Sequence, residues 1–189
     1  MSAKLIVDAN YRFIAASQEA NARIAQRQQS LTLFVTIVLS LIAAIVALRG
    51  GETHSAPALA WLLLGFPLAS ACLAFLNYKS EVALTNLRRF LSELEQLDNA
   101  HEILPSYNTD PRWAFVANRA RRFHDFASAA LVVGAHAIGI GIVHQSSIGS
   151  EPTTEALVVI TAILGLLISV SLIAISRWSY RPTPSNAAV

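Results

Sequence analysis

Residues 31–48 read LTLFVTIVLSLIAAIVAL, an uncharged apolar run that is long enough to decide the fold. A helix that crosses the hydrocarbon core of a membrane needs about 20 mainly apolar residues, with a range of roughly 17–25. Three more runs of this kind follow, at residues 55–78, 126–143 and 156–176. One such run could be the core helix of a soluble protein. Four of them in 189 residues predict an all-α fold, an integral membrane bundle of four transmembrane helices with cytoplasmic helical extensions.

The composition narrows the class of protein. Hydrophobic residues make up 54% of the chain and charged residues 14%, against about 25% charged residues in soluble domains. These values exclude a soluble enzyme domain and a disordered chain. The formal net charge of +2 is too small to predict nucleic acid as a partner. A single cysteine and the lack of catalytic or phosphate-binding motifs lead us to expect no enzyme activity, no cofactor and no metal.

Loop charges predict the direction of the spans. Of the 14 Lys and Arg residues, only Arg49 falls in a loop on the side opposite the termini. Basic residues near span ends stay in the cytoplasm, so we expect both termini and the segment between the hairpins inside the cell. No short basic segment leads directly into residue 31, which predicts an uncleaved first span. The expected location is the bacterial inner membrane, with lipid around the spans.

The chain reads as two units, each with a polar lead-in helix, a span, a short outer loop and a second span. Asp8 is placed to cap a first helix from about Ala9, and Asp110 with Pro111 to start the helix that enters the third span. The predicted segments are a lead-in helix at 1–30, a transmembrane hairpin at 31–78, a cytoplasmic helical hairpin or stalk at 79–125, a second transmembrane hairpin at 126–176 and a disordered tail at 177–189.

The stalk carries a leucine seam with 3,4,3 spacing, made of Leu84, Leu87, Leu91 and Leu94. A narrow apolar stripe of this kind packs one helix against another. The sequence leaves open whether the second helix belongs to the same chain, to a second copy or to a cytoplasmic protein.

His136 is the one ionisable residue deep in a span. Such residues often mark a pathway. The structural alternative is a neutral imidazole bonded to a neighbouring helix, with suitable partners in Thr36, Ser40, Thr161 and Ser169. Small residues at four-residue spacing let helices approach closely, which gives the pore or pathway candidates His136, Gly134, Gly139 and Gly141. Pro67 is a candidate hinge because proline removes a backbone donor.

The densest basic cluster lies just before the third span and consists of Arg112, Arg119, Arg121 and Arg122. Basic residues at this depth bind anionic lipid head groups, at about 1 kcal/mol each. A site for an anionic ligand is the alternative. We expect Asp125 to pair with Arg121, four residues before it on the same helix.

The segment 22–97 resembles the SLATT-type membrane effector domains of bacterial anti-phage systems. The similarity lies in the lead-in sequence RIAQRQQ at 23–29, the tight hairpin of two spans and the exit sequence NYKSEVAL at 77–84. It covers about half of the chain and is one of architecture. The resemblance implies an oligomer that permeabilises or senses at the inner membrane and is triggered by a partner protein.

Three functions are compatible with these features. The first is a non-enzymatic inner-membrane protein that self-assembles and acts as a pore-forming or membrane-perturbing component, in defence if the resemblance holds. The second is a membrane anchor or sensor subunit that recruits a cytoplasmic partner through its helical stalk. The third is a small-solute transporter that uses His136, which the lack of a deep Asp or Glu disfavours.

Overall fold

The structure is a computed structural model that describes residues 8–49, 61–145, 152–175, 177 and 180–182. The described part is helical and contains no strand, so the predicted all-α class is confirmed there. Its helices are α1 (Ala9–Arg49), α2 (Gly65–Glu95), the short α3 (Ala100–Ile103), α4 (Pro111–Gln145) and α5 (Pro152–Ile175). A 3-10 turn, Leu97–Asn99, joins α2 to α3. The predicted outer loops and most of the predicted tail lie outside the described residues.

Two helix starts follow directly from local sequence signals. α1 begins at Ala9, where the Arg12 amide donates to the Asp8 carbonyl at 3.2 Å. α4 begins at Pro111, and the Asp110 carboxylate accepts a hydrogen bond from the Arg112 amide at 2.9 Å. At Asp110 a side-chain oxygen thus satisfies an amide in the first turn, which is the usual N-terminal cap. Both starts agree with the positions that the sequence predicts.

Within the described residues, three helices are long and apolar enough to cross a membrane, namely α1, α4 and α5. α1 would be about 60 Å long at 1.5 Å per residue, about twice the thickness of the hydrocarbon core. The second predicted span, at residues 55–78, differs from expectation. α2 begins at Gly65 and reaches its first charge at Lys79, so its apolar part covers only about 21 Å. The start of that predicted span, residues 55–60, lies outside the described residues.

Pro67 is the third residue of α2 and is buried. In the first turn of a helix the missing proline N–H breaks no helical hydrogen bond. The sequence instead led us to expect Pro67 inside a continuous span. A hinge here would lie between α2 and the short turn at residues 61–64 that precedes it.

The four long helices pack as two hairpin pairs. α1 runs antiparallel along α2, α4 packs along α5, and α2 joins the pairs by packing on α5. The core combines large apolar side chains from every long helix and the turn before α2: Phe34, Val38, Ile45, Leu63, Phe66, Leu73, Val132, Val143, Leu172 and Ile175. The outer faces also expose large apolar side chains, including Leu33, Leu39, Leu166, Leu167 and Val170. Apolar surface on this scale requires lipid or further protein around it.

The end of the bundle where α1 begins, α2 ends and α4 begins is called the connection end here. Its loop, residues 96–110, is held by the Glu95 carboxylate, which accepts hydrogen bonds from the Asn108 amide at 3.0 Å and the Thr109 amide at 2.9 Å. The backbone turns at Asp98 and Asn99, both with positive φ, a conformation that these short polar residues tolerate. Hydrogen bonds to Glu95 therefore hold the conformation of this loop.

Candidate functional site

Four charged side chains, three of them buried and Arg121 partly buried, lie together at the connection end, and we call them the ion network: Arg27, Glu81, Arg121 and Asp125. Arg27 of α1 binds Glu81 of α2 at 3.2 Å and also binds Asp125 of α4. Arg121 of α4 binds the second oxygen of Glu81. The exposed fractions of the Arg27, Glu81 and Asp125 side chains are 7%, 1% and 3%. Three helices are thus joined by an ion network whose formal charges sum to zero.

The ion network lies just outside the apolar runs. Arg27 precedes the run at 31–48, Glu81 follows the run that ends at 78, and Asp125 directly precedes the run that begins at 126. Buried charges are tolerated when they are paired and hydrogen-bonded, and removing one member costs about 3–5 kcal/mol because its partners stay buried. The ion network therefore fixes how α1, α2 and α4 align along their axes.

The predicted pairing of Arg121 with Asp125 is wrong. Asp125 binds Arg27 and Arg121 binds Glu81. Arg121 and Asp125 lie near each other on the same helix. The packing of the helices, however, places Glu81 of α2 between the guanidinium groups of Arg27 and Arg121. The sequence did not predict the pairing of Arg27 with Glu81 because the two residues are 54 positions apart in the chain. The available signal was a charged residue within four residues of the end of an apolar run.

Burial shifts the pKa of two groups in or beside the ion network, both of which lie outside the apolar runs. It raises the pKa of Asp125 to about 6, and the Arg27 guanidinium opposes that shift. Burial, followed by the charge of Arg27, lowers the pKa of His124 to about 4. His124 is therefore neutral at pH 7, whereas the Asp125 carboxyl is mostly ionised and can take up a proton at mildly acidic pH.

The predicted basic cluster divides between two faces of α4. Arg121 belongs to the ion network, whereas Arg112, Arg119 and Arg122 are exposed. Arg112 pairs with Asp110 at 2.7 Å. Arg119 and Arg122 line a cavity of about 490 Å3 together with Pro111, Phe115, Arg181 and Pro182. Lipid or anion binding at these exposed arginines stays a prediction.

His136 lies in the bundle interior, 4% exposed. Its Nδ1 donates to the Val132 carbonyl of its own helix at 2.7 Å. Three of the four expected partners on neighbouring helices, Thr36, Ser40 and Ser169, each donate to a carbonyl of their own helix. The fourth, Thr161, has a buried hydroxyl without a hydrogen-bond partner in the described part of the chain, as has Nε2 of His136. The structure therefore replaces the predicted interhelical hydrogen bond of His136 with one inside α4.

The small residues of α4 face two ways. An added Cβ at Gly139 would lie 2.8 Å from the Phe66 ring, so the absence of a side chain lets α2 approach. A Cβ at Gly134 or Gly141 would meet nothing within 4 Å. On α5, Gly165 lies against the His136 ring, where a Cβ would come within 2.6 Å of Cδ2. The four pore candidates therefore do not share one face.

The leucine seam is partly used inside the chain. Leu84 and Leu91 are buried, at 3% and 5% exposed, whereas Leu87 and Leu94 are half-buried. The buried pair supplies packing within the single chain. A seam between copies or with another protein would have to use the remaining, half-buried side of Leu87 and Leu94.

Comparison with known proteins finds no match to this chain, whether among family profiles, curated proteins or solved structures. The resemblance to SLATT-type domains stays a prediction. Among the described residues, no group of three or more His, Cys, Asp or Glu side chains could hold a metal ion.

Proposed function

We propose that this protein is a non-enzymatic, multi-pass protein of the bacterial inner membrane that self-assembles and acts as a pore-forming or membrane-perturbing component. In this proposal α2, extended by the residues before it, supplies the fourth span, and both termini lie in the cytoplasm. The resemblance stated above would place such a component in anti-phage defence.

One observation carries the proposal, a small-residue face on α4 that the described part of the chain leaves uncovered. Ala130, Gly134, Ala137 and Gly141 recur at intervals of four, three and four residues, which places them on one side of a helix. Ala130, Ala137 and Gly141 are exposed, and a Cβ at Gly134 or Gly141 would meet nothing within 4 Å. Membrane helices associate through such faces because backbones can approach closely there. The face points away from this chain's own core, so the partner it suits is a second copy.

The proposal is tested by the membrane potential of cells that express the full chain. We expect expression to depolarise the inner membrane and Gly134→Leu with Gly141→Leu to prevent it, because leucine side chains block the close approach. Ala162→Leu is the matched control, since it enlarges an exposed small residue on α5. Depolarisation by the glycine variants at the level of the control would contradict the proposal, as would intact potential with the unmodified protein at equal membrane abundance.

A second candidate function has its own observation. The loop at the connection end exposes apolar side chains on an ordered backbone: Ile103 is 84% exposed, Leu104 63% and Tyr107 55%. Such a surface suits a membrane anchor or sensor subunit that recruits a cytoplasmic protein. In that case crosslinking in cells should capture a partner, and Ile103→Ser with Leu104→Ser should abolish the capture while the membrane potential stays intact.

A further inference from the structure

A cavity of about 490 Å3 lies between the first turns of α4 and the segment that follows α5. We call it the arginine groove. Its lining consists of three arginines and three side chains with apolar faces, namely Arg119, Arg122, Arg181, Phe115, Pro111 and Pro182. None of the described residues that line it is acidic. Its volume lies within the roughly 300–1,000 Å3 of small-molecule sites.

The three arginines of the groove are accessible to a ligand. Arg119, Arg122 and Arg181 are all exposed. Within the described part of the chain none of them forms an ion pair, in contrast to Arg121 of the ion network. A guanidinium presents five donors in a planar fork that matches an oxyanion. Three such groups without a carboxylate in the same lining favour an anionic ligand.

The groove runs along one side of α4. Its residues on this helix follow one another at intervals of four, four and three, which places them on one helical face: Pro111, Phe115, Arg119 and Arg122. Arg122 lies about 6 Å before the apolar run at 126–143, measured along the helix axis, and Phe115 about 16 Å before it. In a spanning α4, Arg119 and Arg122 therefore lie at the membrane end of the groove, and Phe115 lies farther out.

We propose that the arginine groove binds a phosphate ester, with the phosphate group on Arg119, Arg122 and Arg181. Arg122 is at head-group depth, because head groups occupy about 5–8 Å on each side of the hydrocarbon core. The phosphate can thus belong to an anionic lipid or to a soluble molecule. A soluble ester also places its organic group against Phe115, whereas the acyl chains of a lipid point into the bilayer. This proposal does not rest on self-assembly.

The test measures binding to the purified full chain in nanodiscs. The soluble probe is phenyl phosphate, added to phosphatidylcholine nanodiscs and followed by calorimetry. The lipid probe is phosphatidic acid, included in the nanodisc and followed by the shift in unfolding temperature. Arg122→Gln and Arg181→Gln each remove one arginine of the groove, from two different segments. Arg89→Gln is the matched control, since it removes the same charge from an exposed position of α2 outside the groove.

We expect Arg122→Gln and Arg181→Gln each to weaken the binding of one probe about tenfold, because each removes a charge-assisted hydrogen bond. Arg89→Gln should bind like the unmodified chain. All three variants change exposed residues, so the fold should be retained. Phe115→Ala separates the two sources. Weaker binding of phenyl phosphate in Phe115→Ala supports a soluble ligand, and a response confined to phosphatidic acid and unchanged in Phe115→Ala supports the lipid.

Two results would overturn the proposal. The first is no response to either probe. The second is an equal response in the three arginine variants, which would show attraction by overall charge rather than binding in the groove. Neither result depends on the number of copies or on the membrane potential, so this test is separate from the depolarisation test.

Discussion

At the connection end α4 meets α1 and α2 through buried charges, whereas within the apolar runs it meets α2 and α5 through glycine and aromatic contacts. The ion network offers strong but specific pairing, since each charge needs its own partner at the right height. The contacts of Gly139 with Phe66 and of Gly165 with His136 depend on the absence of a side chain. Opposite charges hold the helices together at the connection end, whereas close packing at glycine holds them together within the apolar runs. Substitutions in the two regions should therefore have different effects on stability.

The largest effect is expected at Glu81, which binds both Arg27 and Arg121. Glu81→Gln removes the charge shared by two buried guanidinium groups and should lower the free energy of unfolding by about 3–5 kcal/mol. Glu93→Gln, at an exposed position of the same helix, should stay within about 0.5 kcal/mol of the unmodified chain. Denaturant titration in detergent, followed by circular dichroism, measures both. Equal stabilities would mean that the ion network does not hold the helices together.

The next largest effect on stability is expected in the leucine seam. Leu91→Ala removes a buried side chain and should cost about 2–5 kcal/mol. Leu94→Ala, at a half-buried position of the same seam, should cost clearly less in the same titration. The reverse order would show that the seam closes mainly between chains, and that its buried side matters less than its outer side.

A smaller effect is expected where packing depends on shape. Gly165→Ala places a methyl group against the His136 ring and should cost about 1–3 kcal/mol by overpacking. Ala162→Leu, which enlarges an exposed small residue of the same helix, should stay within about 0.5 kcal/mol of the unmodified chain. If the contact is responsible, His136→Ala should remove most of the cost of Gly165→Ala. A cost that persists in the His136→Ala background would place the strain elsewhere.

The smallest effect is expected in how the stability of the fold depends on pH. The pKa of Asp125 is raised to about 6 in the folded chain, against 3.8 for an unperturbed group. Protonation therefore favours the folded state, and this contribution is present below about pH 4 and is lost as the pH rises through 6. Between pH 7.5 and pH 5 the unmodified chain should gain more stability, or lose less, than Asp125→Asn. Identical pH profiles for the two proteins would contradict the raised pKa.

The sequence predicts those parts of the structure that depend on neighbouring residues. Asp110 marks the start of α4 because a cap acts within one turn, and α1 begins directly after Asp8, as the sequence predicts. Residues 31–48 and 126–143 predict spans because hydrophobicity is a property of a continuous run. Neither kind of signal needs information about which helices become neighbours.

The candidate sites were harder to predict, because they depend on rotation and register between helices. Arg27 and Asp125 are 98 residues apart, so nothing in the sequence near either one indicates the pairing. Gly134 and Gly139 look alike in sequence, yet one faces outward and the other contacts Phe66. Which small residues remain available for a second copy becomes visible only once the four long helices are packed.

In the proposed assembly, copies of this protein meet through the outward small-residue face of α4. Single-particle electron microscopy of the detergent-purified full chain would image this contact. We predict an oligomer in which Ala130, Gly134, Ala137 and Gly141 lie at the contact between neighbouring copies. A monomer, or an oligomer in which this face points into the detergent, would contradict the claim.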